Sequence, residues 1–221
     1  MENIESIERF IEYGLNKEFS LRPLVKAIWG VNIFWVFGFI YGVVAGGIDC
    51  VYGTTMLLLG FISTVVIIVK RKDKTVFGML SVLSITSMTS IVNFILLAEI
   101  LCRIIKISLV LKLMVTALPI VLVLILYIIT KRRIKTNAFK DSKSVDRSNI
   151  RLYAILGSTA GLSFAKIFLS KLQPESVIAI TIIGIVFLSF IYCFGTINLL
   201  KVYYINKYNL EKYKHIEEAD K

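Results

Sequence analysis

Apolar residues fall along the chain in long runs separated by short polar stretches, rather than in the mixed pattern of a water-facing domain. A helix that crosses a bilayer needs about 20 predominantly apolar residues, because the hydrocarbon core is about 30 Å thick and each residue adds about 1.5 Å. Runs of that kind are read at residues 27–48, 51–69, 76–102, 107–130, 152–170 and 177–200. The expected fold is therefore all-α and polytopic, with six transmembrane helices. The fourth run has Lys112 near its start and Pro119 inside it, where a proline is expected to kink the helix. The fifth carries Lys166 and several small polar residues.

Ahead of the first run, Ile4, Ile7, Phe10 and Ile11 recur at helical spacing, opposite Glu5, Glu8 and Glu12. This pattern predicts a short amphipathic helix within an N-terminal segment of residues 1–26. Its acidic polar face suits anionic lipid poorly, which favours packing against a partner or against the protein's own loops. Residues 27–204 form the expected six-helix domain, and residues 205–221 a charged tail.

Composition agrees with lipid as the main solvent: 57% of residues are hydrophobic, 19% are charged and the mean hydropathy is +0.77. Too few polar side chains remain to cover a globule in water. The 26 Lys and Arg exceed the 15 Asp and Glu, but they lie between apolar runs and do not gather on a soluble domain, so nucleic acid is not an expected partner. All except Arg103, Lys106, Lys112, Lys166 and Lys171 fall on one side of a six-span arrangement, including the cluster from Lys131 to Arg151. The positive-inside rule makes that side cytoplasmic and puts both termini there, in a plasma-membrane protein. Without the fifth span the basic tail would move outside. The glutamates near the N-terminus also differ from the basic start of a cleaved signal peptide.

Candidate sites are few. Gly38, Gly42 and Gly46 form a small-residue strip in the first span, and Gly157 and Gly161, extended by Ala165, form another in the fifth. Such strips let helices approach closely where lipid supplies no hydrophobic drive. They suit an intramolecular contact between those two spans, or an interface with a membrane-protein partner or a second copy of the chain. In the third span Thr86, Thr89, Ser90 and Asn93 fall within a third of the helix circumference. That seam suits either a path for a solute or hydroxyls bonded back to the helix, with Asn93 reaching a neighbour. Asn32 and Asn198 invite the same two readings. Glu99 stands four residues before Arg103, in the order that favours a charge pair on one helix face. Lys166 lies close enough to the outer side to snorkel.

Cys50 and Cys102 both fall at the outer boundary, where an oxidising compartment would allow a bridge. Cys193 reads as a small buried apolar residue. The single histidine, His215, lies in the tail, and the cysteines lack metal-ligand spacing. No metal, no cofactor and no enzymatic activity is expected, because a Ser–His or Cys–His arrangement has no base within the spans.

Six spans with cytoplasmic ends, preceded by a helix, resemble the membrane subunits of some export-type ABC transporters in topology alone. Two functional expectations follow. One is a non-enzymatic accessory or immunity-type protein that acts through helix–helix contacts with another membrane component. The other is a small transporter or channel whose third span lines the path.

Overall fold

The structure is a computed structural model that describes residues 4–13, 35–36, 38–70, 75–139 and 173–214. The described residues form helices and turns, with no strand among them. Helix α1 covers Ile4–Glu12, and a helical segment at 38–45 leads into α2, Gly47–Lys70. Then follow α3, Val76–Ile104, and α4, Leu109–Lys135. After them come α5, Pro174–Gly195, α6, Ile197–Lys207, and a 3-10 turn at Glu211–Tyr213. Among the described residues four helical stretches are long and apolar enough to cross a membrane: α2, α3, α4 and the continuous Glu175–Lys207 formed by most of α5 with α6. They fit a lipid bilayer. Part of the expected first span and all of the fifth, with Gly157, Gly161, Ala165 and Lys166, lie outside the described residues, as do Asn32 and His215.

The turn before α2 is tighter than the expected polar link at Asp49 and Cys50. Gly46 and Gly47 take φ of +72° and +56°, a left-handed conformation that costs glycine nothing, so the chain reverses there and Asp49 already belongs to α2. Helix α3 starts from an N-cap, with the Thr75 hydroxyl accepting the Gly78 N–H at 3.0 Å. Its C-terminus closes through left-handed Lys106, and the Ile107 N–H reaches back to the Cys102 carbonyl at 3.0 Å. Helix α4 runs unbroken through Pro119. The last apolar stretch divides at Thr196, whose hydroxyl donates to the Cys193 carbonyl at 2.6 Å.

Helix α3 is the hub. It packs against α2, α4, α5 and α6, and half of its most apolar stretch is buried inside the protein. One core cluster gathers Trp35, Met56, Phe94, Ala98, Ile100 and Ile185 around it. The Trp35 ring meets Phe94 edge-on at 5.2 Å, and Phe94 continues to Tyr192 at 5.6 Å.

A second cluster lies at one end of the bundle. There Ile7, Phe10 and Ile11 of α1 pack on Leu80 of α3, on Ile134 and Phe139 at the end of α4, and on Leu200, Tyr204 and Ile205 of α6. The amphipathic helix therefore binds the protein's own helix ends. This end carries the basic termini of α2 and α4, so water is its solvent, and burying each of those three α1 side chains contributes about 1.5–3 kcal/mol.

Candidate functional site

The structure gives Gly38 and Gly42 a partner, and it is the neighbouring helix α2. A Cβ on Gly53 would stand 2.9 Å from the Gly38 carbonyl oxygen, 3.0 Å from the Phe39 Cα and 3.3 Å from the Gly42 Cα. A Cβ on Gly42 would run into the Asp49 carbonyl. Further along, Gly60 makes room for Trp35, whose Cδ1 lies 2.8 Å from where a Cβ would be. Gly38 and Gly42 thus serve a tight hairpin, while Gly46 forms its turn instead of extending the strip. Gly53 and Gly60, seven residues apart in α2, were the complementary signal in the sequence.

The seam of α3 is buried at Thr86, Ser90 and Asn93 and half-buried at Thr89. Its hydroxyls bond mainly to their own helix: Thr86 donates to the Val82 carbonyl at 2.7 Å and Thr89 to the Ile85 carbonyl at 3.0 Å. Thr89 also shares a 3.1 Å hydrogen bond with Ser63 of α2, which stitches the two helices. Asn93 differs from the rest. It is completely buried, and neither its amide nitrogen nor its oxygen has a hydrogen-bond partner among the described residues. On an adjacent face of α3, Ser87 presses against Gly195 so closely that a Cβ there would overlap the serine hydroxyl. The small residue at 195 is what lets α5 approach.

Glu99 and Arg103, expected to pair with each other, are each held by a different helix. Glu99 receives the Lys112 ammonium at 2.8 Å and the Thr116 hydroxyl at 2.8 Å, both from α4. Arg103 lies 3.8 Å from Asp49 of α2, with Tyr52 hydroxyl at 3.4 Å from its guanidinium and the Tyr52 ring 5.1 Å from its centre. Antiparallel neighbours joined by short turns bring opposite charges together at the same depth. A charge between apolar helices is costly unless it is paired, and these two pairs explain how α2, α3 and α4 carry four charges at this end. Cys50 and Cys102 are free thiols, and so is Cys193, whose Sγ lies 3.6 Å from the Pro119 carbonyl.

At the basic end the decisive residue is Lys201 of α6. It is buried, and its ammonium donates to the Ile11 carbonyl at 3.1 Å and the Tyr13 carbonyl at 2.6 Å, with the Phe10 ring 5.4 Å away. These carbonyls close the C-terminal end of α1, where unsatisfied acceptors and the helix dipole both favour a cation. Further ties hold α1 to the end of α4 and to the C-terminal turn. Ser6 donates to the Ile134 carbonyl at 2.6 Å, Lys212 pairs with Glu8 at 3.0 Å, and Tyr213 donates to Glu12 at 2.8 Å.

Compared with known protein families, curated proteins and solved structures, the chain finds no match in any of the three.

Proposed function

We propose that the protein is a non-enzymatic, multi-pass protein of the plasma membrane that acts through helix–helix contacts with another membrane component. In this reading it has six spans and keeps both termini, with the basic end, in the cytoplasm. The support is the contrast between what the polar groups do and what the surface offers. Glu99, Arg103, Asp49, Lys112 and Lys201 all hold helices of this chain to one another. Helix α4, in contrast, keeps only 6% of its most apolar stretch buried and presents Leu113, Leu118, Leu124 and Ile128 outward. That apolar face is the observation that carries the proposal, because a partner span can lie along it with no charge to desolvate.

A photo-crosslinking residue at Leu113 or Leu124 in native membranes tests it. A single adduct of fixed mass, competed away by the unlabelled chain, is expected, and a smear of lipid adducts alone would refute it.

One observation favours a second reading, a small transporter or channel lined by α3: the buried Asn93 amide, which has no partner among the described residues. Asn93→Leu and Thr86→Val in liposomes separate the two. Lost flux with unchanged stability would select transport.

A further inference from the structure

Between α4 and the junction of α5 with α6 lies a groove of about 90 Å³, lined by Met88, Val123, Tyr127, Thr130, Thr196 and Leu200 among others. Its walls are apolar apart from hydroxyls. That of Thr196 is engaged by the Cys193 carbonyl. Thr130 is only 6% exposed, yet its hydroxyl makes no hydrogen bond with any described residue. A hydroxyl left so at the edge of hydrocarbon calls for an acceptor from outside the chain.

The position supplies the second half of the argument. Thr130 is the last residue of α4 before Lys131, Arg132 and Arg133, so it stands at the hydrocarbon boundary of the basic end. The Lys131 ammonium lies 5.8 Å from the centre of the Tyr127 ring, which itself lines the groove, and Lys131 has no acidic partner among the described residues. The neighbouring Leu124 and Ile128 face outward, leaving the groove open to an occupant arriving sideways from the bilayer. An apolar slot, an unengaged hydroxyl at its rim and an uncompensated ammonium beside it match the three parts of an anionic phospholipid in order.

We propose that this groove seats the first few methylenes of an acyl chain of one anionic phospholipid, the rest of the chain lying in the bilayer, with the Thr130 hydroxyl donating to an ester or phosphate oxygen and Lys131 pairing with the phosphate. The hydroxyl makes the site specific for depth, and the lysine makes it specific for charge.

The test uses the full chain in mild detergent, titrated with dioleoyl phosphatidylglycerol or dioleoyl phosphatidylcholine and read by native mass spectrometry. One phosphatidylglycerol per chain is expected, with phosphatidylcholine at least about tenfold weaker, or about 1.4 kcal/mol. Val123→Trp, which fills the groove, abolishes retention, whereas Leu124→Trp on the outward face leaves it intact. Thr130→Val and Lys131→Gln each weaken phosphatidylglycerol several-fold, and Lys131→Gln also narrows the difference between the two lipids. Equal retention of both lipids by the unaltered chain would overturn the proposal. So would a Val123→Trp variant that keeps its lipid, or one that dissociates a dimer without changing lipid content. Should Val123→Trp fail to fold, the near-isosteric Thr130→Val decides, and unaltered affinity there rejects the site.

Discussion

Helices α3 and α4 are sequence neighbours of almost equal length, 29 and 27 residues, and the one whose most apolar stretch has the lower mean hydropathy, 1.9 against 2.8, is at the centre of the bundle. In water the ranking would be reversed, because burial is driven by apolar area. In lipid a leucine gains little by leaving the hydrocarbon, so a helix is drawn inward by its small and polar residues, which need backbone or hydrogen-bonding neighbours. Helix α3 brings Ser87 against Gly195 and Thr89 against Ser63, and its Glu99 and Arg103 reach out to α4 and α2. Helix α4 has few such groups along its length and is left on the outside of the bundle, with only 6% of its most apolar stretch buried. The basic end obeys the aqueous rule: there the apolar face of α1 is what is buried.

The largest effect that would break this comparison comes from Gly195→Leu. Its side chain cannot coexist with Ser87, and the α3–α5 contact should lose about 3 kcal/mol or more. In mild detergent this appears as a fall in Tm of about 10 °C, or as loss of the monodisperse species. A Tm within a degree of the unaltered chain would mean that α5 does not pack on α3 as described.

Lys201→Met comes next and separates the wet end from the lipid-embedded core. The thioether keeps the length of the side chain but donates nothing to the Ile11 and Tyr13 carbonyls, so docking of α1 should weaken by about 1–3 kcal/mol. Amide hydrogen exchange at residues 4–13 should accelerate at least tenfold while α3 stays protected. Uniform acceleration would show instead that the clasp supports the whole bundle.

The glycine and charge results show how far the sequence was legible. Periodicity and composition are local properties, so the apolar stretches, the amphipathic α1 and the polar face of α3 could all be read from residue spacing. Partner choice is not local. Glu99 and Arg103 had suitable spacing for a pair, but the chain reversal at residues 105–108 puts Lys112 within reach of Glu99, and the packing of α2 on α3 puts Asp49 beside Arg103. The Gly38 and Gly42 strip announced a close approach without saying that Gly53 would answer it. Lys201 looked like any interfacial lysine, because only the docked α1 places carbonyls over it. The Thr196 break was hidden as well, since the residues on either side continue the apolar pattern.

A smaller and opposite effect is expected from Asn93→Leu. The buried amide has no hydrogen-bond partner among the described residues, so an apolar side chain of similar volume should leave Tm unchanged or raise it by an amount worth about 1 kcal/mol. A clear loss of stability would show that the amide has a partner in the membrane-embedded protein. The smallest change belongs to α4: Leu124→Ala, on a side chain 57% exposed, should alter stability by less than about 0.5 kcal/mol in detergent. A loss above 2 kcal/mol would place α4 inside the bundle and erase its contrast with α3.

The orientation that underlies all of this is tested most directly by reporter fusions in the full chain, one inserted after Lys106 in the turn between α3 and α4 and one after Phe139 beyond the end of α4. The account predicts that the first reports from outside the cell and the second from the cytoplasm. Both on the same side, or the two exchanged, would contradict it.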